Sequence, residues 1–198
     1  MKVKSKEIFN LLSKWEEGGI RELNNGTKMI CHVPHIAPEA WLHIIYGKAS
    51  SNDINSLKNK LIYGLPLDFE EFLNESNGLN IFSDSLSIWG IRKSYVRQGD
   101  EAIQPYDLIS MNSERPEGCP DSWVFFGGYS WDGSRVMFDM KNGIESSKVY
   151  LCEADSTDIL LKWESFHEWL ISEINRLSQM YNIRGVEYDE DMPTCPIK

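Results

Sequence analysis

The chain has 198 residues, of which 41% are hydrophobic and 12% are aromatic, and its formal net charge is -10. This composition is typical of an ordered globular protein with one domain and a substantial core, and it excludes an intrinsically disordered chain. The negative charge disfavours direct binding to nucleic acid, because such binding depends on neutralising phosphates. No apolar run approaches the length of a membrane span.

The beginning of the chain predicts a helical extension followed by an irregular segment. Apolar residues recur at helical spacing from Ile8 to Trp15, so we expect a first helix over residues 5–17. Residues 29–33 fit a short strand, and residues 38–45 fit a brief helix. The basic start does not lead into an apolar run with a cleavage site, so we expect no secretory signal and a cytoplasmic protein.

The clearest helix pattern in the chain follows Pro66. A proline fits the first helical turn, where its missing N–H costs no hydrogen bond. The apolar stripe of this helix consists of Phe69, Phe72 and Leu73. Asn77-Gly78 would end it, since both residues tolerate the left-handed conformation of a C-cap. Helices are therefore expected over residues 54–63 and 67–76, with the stripe facing the core.

The second half of the chain alternates strand patterns with turn signals. The expected strands are 86–91, 123–129, 135–140, 148–152 and 159–163. Asp132-Gly133 and Asn142-Gly143 are hairpin turns, and residues 97–121 are mainly loop. Ser165 and Glu168 form a capping box that begins a long helix over 166–181. Its inward residues are Phe166, Leu170 and Ile174. We therefore predict an α+β fold: a single domain with a mostly antiparallel sheet covered by helices.

Several of these elements occur in an order that resembles a known family. The Pro66 helix, a strand bearing Trp89 and the aromatic-Gly-Gly strand over 123–128 resemble the SUKH superfamily, specifically its SMI/KNR-type branch. Residues 134–139 resemble the family's strand ending in Asp, and residues 163–170 resemble its closing helix. The resemblance implies a SUKH-like fold, and the leading segment, which has no counterpart in it, is expected to be an N-terminal helical extension.

The resemblance also implies a function, and its extent divides the chain. The SUKH-like domain covers residues 47–181, the unmatched extension covers 1–46, and the acidic composition of residues 182–198 predicts a mobile tail. The family is best known for bacterial immunity proteins that bind and neutralise toxins, often nucleases, and its fungal relatives regulate cell-wall synthesis. The resemblance thus implies a non-enzymatic protein-binding domain. An immunity protein is the leading hypothesis, and a regulatory scaffold of the cell-wall-synthesis type is the alternative.

Motifs for catalysis or metal binding are weak in this sequence. Four widely spaced cysteines without a Cys-x-x-Cys pair predict reduced thiols. The nearest approach to a metal cluster consists of Cys31, His32, His35 and His43, whose spacings match no closed zinc site. A third hypothesis is a hydrolase in which Asp132 and Asp139 act as acid and base, but no further group with a defined role accompanies them. We expect no catalytic residue, no metal and no cofactor.

The expected partner is a protein with a basic surface, and neither nucleic acid nor a membrane is expected. The expected partner-binding residues are Glu70, Glu71, Glu75, Asp84, Tyr129, Trp131 and Asp132. The glutamates face away from the apolar stripe of their helix, and the other four lie in turns at a sheet edge. Such a surface combines acidic groups for Lys and Arg with aromatic anchors that can be desolvated.

Overall fold

The computed structural model describes residues 3–196, and within them nine strands form one antiparallel sheet. Each strand pairs with the next strand along the chain, so the sheet is a continuous meander. The strands are β1 Ile20–Glu22, β2 Lys28–His32, β3 Trp41–Ile45, β4 Leu79–Ile81, β5 Leu86–Ile88, β6 Trp123–Tyr129, β7 Arg135–Asp139, β8 Val149–Cys152 and β9 Ile159–Trp163. The α+β class predicted from the sequence is confirmed.

Helices fill the longer connections and cover the sheet. The helices are α1 Val3–Leu12, α2 Ser51–Lys60, α3 Leu67–Glu75, α4 Leu108–Ser113 and α5 Phe166–Ser178. Three short 3-10 helices lie at Ser13–Gly18, Asp100–Ala102 and Met140–Asn142. The stretch predicted as mainly loop, residues 97–121, therefore contains α4, which begins where the Asp107 side chain accepts the Ser110 amide. No helix in the described part is long and apolar enough to cross a membrane.

An aromatic core lies between α3, α5 and one face of the sheet. Phe69 of α3 packs on Phe126 and Phe166, with ring centroids 5.3 Å away in both cases. Phe126 stacks on Phe138 at 4.1 Å. A bulge between Phe125 and Gly127 turns the Phe126 ring towards the helices, because the extra residue breaks the strand alternation. The inward stripe predicted for α3 is confirmed, since Phe69, Phe72 and Leu73 are all buried.

Side-chain caps fix the starts of α2 and α5. Ser50 and Asp53 form a complete capping box, so α2 begins at Ser51, ahead of the start expected at residue 54. At α5 the Ser165 hydroxyl accepts the Glu168 amide at 3.1 Å, as predicted. The return bond differs, because the Glu168 carboxylate accepts the amide of Glu164.

The N-terminal segment differs from the prediction. The strand expected over residues 29–33 is present as β2, but the segment also contains β1, and the brief helix expected over 38–45 is strand β3. Leu42 and His43 of β3 are fully buried, and β3 pairs with β4. The extension is therefore part of the same sheet as the rest of the chain.

The C-terminal segment, residues 182–196, also differs from the prediction of a mobile tail. Thr194 and Cys195 are buried. The Arg176 guanidinium of α5 donates to the Thr194 carbonyl at 2.6 Å, and the Trp15 indole donates to the Asn182 carbonyl at 2.9 Å. These bonds attach the segment to two helical elements of the domain. Residues 197–198 of the predicted tail lie outside the described residues.

Candidate binding surface

Four loops lie at the same end of the sheet, and we call this end the turn end. In an antiparallel meander every second loop lies at the same end. The loops of the turn end are residues 33–40, 82–85, 130–134 and 153–158. Backbone bonds fix the 82–85 loop on both sides: the Ser83 amide donates to the Leu42 carbonyl in β3, and the Ser130 amide of the next loop donates to the Ser85 carbonyl. The C-terminal segment packs here as well, because the Tyr181 hydroxyl lies 3.1 Å from the Phe82 carbonyl oxygen and 2.9 Å from the Ser85 hydroxyl.

The turn end carries most of the net negative charge of the molecule. Its four loops and the C-terminal segment together hold ten Asp or Glu residues and one arginine, Arg184. The acids are Glu39, Asp84, Asp132, Glu153, Asp155, Asp158, Glu187, Asp189, Glu190 and Asp191. Since the whole chain has a net charge of -10, the acidity suggested by composition is concentrated on one surface. Such a field favours a cationic partner.

The β4–β5 turn holds Asp84 in a fixed position. Phe82, Ser83 and Asp84 have positive φ angles of 55°, 53° and 74°. A non-glycine residue in this region costs about 1–3 kcal/mol, so the surroundings must stabilise the turn. The Phe82 ring is clamped between Trp15, His43 and Tyr181.

The Asp84 carboxylate lies in a cleft on the sheet face opposite α5. It accepts hydrogen bonds from Asn80 and Ser87, both at 2.7 Å. The cleft has a volume of about 240 Å³, and Trp89 and Ser134 contribute to its walls. The Ser134 hydroxyl is buried and has no hydrogen-bond partner among residues 3–196.

Tyr129 is an exception among the predicted partner-binding residues, because it lies in the core. Its side chain is 2% exposed. Its hydroxyl donates to Glu173 at 2.9 Å and accepts from the Trp169 indole at 3.2 Å. Burial, followed by the Glu173 carboxylate, raises the pKa of Tyr129 well above its usual value. The prediction of an exposed loop aromatic is wrong here, because Tyr129 ends β6 on the face that α5 covers.

Trp131 and Asp132 are exposed at the tip of the β6–β7 turn. The Trp131 side chain is 47% exposed. The Asp132 carboxylate accepts the Ser134 amide at 2.9 Å, which closes the turn on itself. Cys195 of the C-terminal segment lies beside this turn. Burial, and after it the nearby Asp132 carboxylate, raises the pKa of the Cys195 thiol to about 11.

A second recess, which we call the Trp131 groove, lies between this turn and the C-terminal segment. Its volume is about 370 Å³. The residues that shape it include Ile36, Ser85, Trp131, Tyr181, Glu187 and Glu190. Sequence reasoning missed Ile36, Glu187 and Glu190 as site residues. The run of acids from Glu187 to Asp191 was visible, but its composition suggested a tail.

The predicted glutamates of α3 lie elsewhere on the molecule. The Leu67 amide donates to Ile144 in the β7–β8 loop, so α3 begins near the end of the sheet opposite the turn end. Glu70 pairs with Lys58 at 2.7 Å, and Glu75 pairs with Lys48 at 3.2 Å. Glu71 is exposed. The structure therefore separates the α3 glutamates from Asp84, Trp131 and Asp132.

The weaker chemical candidates do not assemble into sites. Asp132 lies in the loop before β7 and Asp139 ends that strand, so the two carboxylates are at opposite ends of β7 and cannot act as a pair. His43 is buried beside Trp15 and Phe82, and the His32 ring bonds the Pro38 carbonyl. Among the described residues, no three His, Cys, Asp or Glu side chains are grouped as metal ligands.

Comparison with known families agrees with this architecture. A family model described as the SMI1 / KNR4 family (SUKH-1) matches residues 48–172, which is more than half of the chain. The match begins after β3 and ends within α5, so β1–β3 and the C-terminal segment lie outside it. No curated protein matches the chain. On the extent of the family match, this chain belongs to the SMI1/KNR4 (SUKH-1) family.

Proposed function

We propose that this chain is a non-enzymatic protein-binding domain that binds and neutralises a cognate bacterial toxin, with a nuclease as the expected class. The observation that carries the proposal is the turn end, where an exposed tryptophan lies among ten carboxylates. Membership of a family that includes immunity proteins supports the same conclusion.

The physical argument is one of charge and desolvation. A nuclease holds phosphates with Lys and Arg side chains, so its substrate surface is basic. Acidic groups on an inhibitor steer such a surface into contact and compete with the substrate for the same cations. Affinity then comes from a few well-packed anchors, and tryptophan is among the residue types most often found in that role.

The alternative is a regulatory scaffold of the cell-wall-synthesis type, which would use the same fold for a host partner. The hydrolase hypothesis has lost its geometric basis, because Asp132 and Asp139 are separated by the length of β7. We propose that the protein acts in the cytoplasm of the producing cell. Its four cysteines are unpaired, which suits a reducing compartment.

The test begins with the genes that flank this one: a toxin-like product encoded by one of them is co-expressed with the chain in a bacterial host. We expect the chain to restore growth and to form a complex with a catalytically inactive form of that toxin in titration calorimetry. An immunity protein encoded beside an unrelated toxin serves as the specificity control. Absence of both rescue and complex would contradict the immunity function, and binding to a cell-wall-synthesis enzyme instead would favour the scaffold.

A further inference from the structure

We propose that the Trp131 groove is the docking site for a basic segment of the partner, one that presents Lys or Arg next to an apolar side chain. This inference rests on the proposed function, because it names the surface and the chemistry by which the toxin is held. It excludes the α3 glutamates as the principal contact.

The groove is built partly from segments outside the family match. The β4–β5 and β6–β7 turns belong to residues 48–172, whereas Ile36 and the residues from Tyr181 to Thr194 do not. The family fold thus supplies two turns, and the two ends of this chain close a groove around them. The side chains that select a partner are then the chain's own, which explains how one fold can serve different partners.

Apolar side chains lie on two sides of the groove. Trp131 is 47% exposed and Ile36 is 52% exposed, and both line the recess. Large apolar side chains that remain in contact with water gain free energy when a partner covers them. A tryptophan beside a recess is the arrangement found at the centre of protein interfaces, so an apolar side chain of the partner is expected between Trp131 and Ile36.

The negative charge of the groove determines which other type of side chain the bound segment must carry. Glu187 and Glu190 line the groove, and Asp189 and Asp191 follow in the same segment. None of these four carboxylates forms an ion pair with Lys or Arg among residues 6–196, whose side chains the structure describes. The His35 side chain also lines the groove. A cationic side chain would neutralise this excess, whereas an acidic segment would be repelled.

The groove is held in shape before a partner arrives. The Tyr181 hydroxyl donates to Glu187, and the Asn182 amide donates to the Val186 carbonyl. Arg176 holds Thr194 at the far end of the segment. Binding therefore does not have to order this wall, which lowers the entropic cost of association.

The experiment uses the full chain and two probes: the inactive toxin of the adjacent gene, and a fluorescently labelled peptide of alternating Lys and Leu. The groove variants are Trp131→Ala and Glu190→Lys. The matched controls are Tyr63→Ala, whose ring is 45% exposed, and Glu145→Lys, which is exposed in the β7–β8 loop at the opposite end. Glu71→Lys tests the rival surface on α3.

We expect each groove variant to weaken binding of both probes by about tenfold or more, and the controls to leave it unchanged. Wild-type protein that fails to bind the peptide, or groove variants that bind as tightly as wild type, would overturn the inference. A loss confined to Glu71→Lys would move the site to α3. If the peptide results hold but the toxin does not bind, the groove stands and the immunity function fails.

Discussion

His43 is an imidazole surrounded by aromatic rings, and its burial makes stability depend on pH. Burial lowers the pKa of His43 to about 3, whereas a histidine in an unfolded chain titrates near about 6.5. Below that pH the unfolded chain binds a proton that the folded protein does not bind. The free energy of unfolding should therefore fall as the pH drops from about 6.5 towards 3, by at most about 1.4 kcal/mol per pH unit from this group.

The measurement is urea unfolding of wild type and of His43→Gln at several values between about pH 7 and pH 4. In wild type the Phe82 amide donates a hydrogen bond to His43 at 3.3 Å. Glutamine also offers an acceptor for this amide, but its side chain does not titrate. The variant should show a shallower decline than wild type. Parallel curves would mean that His43 has the same pKa in the folded and the unfolded protein, which would contradict the effect of its burial.

The Ser165 hydroxyl is the cap of the helix that closes the core. It satisfies the Glu168 amide at 3.1 Å, so Ser165→Ala should destabilise the protein by about 1 kcal/mol. Ser56→Ala is the matched control, because Ser56 is exposed within α2 and alanine suits a helix interior. Urea unfolding should separate the two variants, and toxin binding should be the same in both. Equal stability of the Ser165 variant and wild type would contradict the capping role.

The burial or the role of a single residue could be predicted where the local sequence pattern itself determines it. The inward stripe of α3 follows from spacing, and the Ser165 cap follows from a four-residue motif. Tyr129 was not predictable, because its burial depends on Glu173 and Trp169, which are 44 and 40 residues away in sequence. The left-handed backbone at Phe82 was also hidden, since a core contact and not a glycine stabilises it.

At the scale of elements, the sequence was least informative at the two ends of the chain. β3 has no polar-apolar alternation, because Leu42 and His43 are both buried, and a short apolar run does not distinguish strand from helix. The C-terminal segment has the composition of a disordered tail. Its attachment depends on two buried residues, Thr194 and Cys195, and on a distant arginine.

That arginine gives a prediction for the C-terminal segment. Arg176 donates to the buried carboxylate of Glu173 at 2.7 Å and to the Thr194 carbonyl. Arg176→Ala should therefore speed amide hydrogen exchange in residues 182–196 and lower stability by about 2 kcal/mol, because charged groups lose hydrogen-bond partners. Arg184→Ala, an exposed change in the same segment, is the control. Exchange that stays slow in the Arg176 variant would show that other contacts hold the segment.

At the scale of the whole molecule, the sheet joins the family-matched region to the parts outside it. β3 pairs with β4, α1 packs against α5, and the C-terminal segment packs on the turn end. The sequence shows which residues are acidic, but it does not show which of them lie on the same surface. Only the meander shows that loops as distant in sequence as 33–40 and 153–158 lie at the same end of the sheet, where the Trp131 groove also lies.

The last prediction follows from this continuity: a fragment limited to the family match, residues 48–172, should not fold cooperatively. Removing β3 would leave β4 with an unpaired edge and take away Leu42 and Trp15, which are fully buried. The fragment would also end within α5 before Ile174 and Leu177, so the helix would lose core contacts. Deletions of this size remove several kcal/mol from a domain whose total stability is about 5–15 kcal/mol.

Thermal unfolding followed by circular dichroism should be broad for the fragment and sharp for the full chain. A sharp transition of the fragment, with dispersed amide signals in its NMR spectrum, would show that the family core folds without the segments that close the groove.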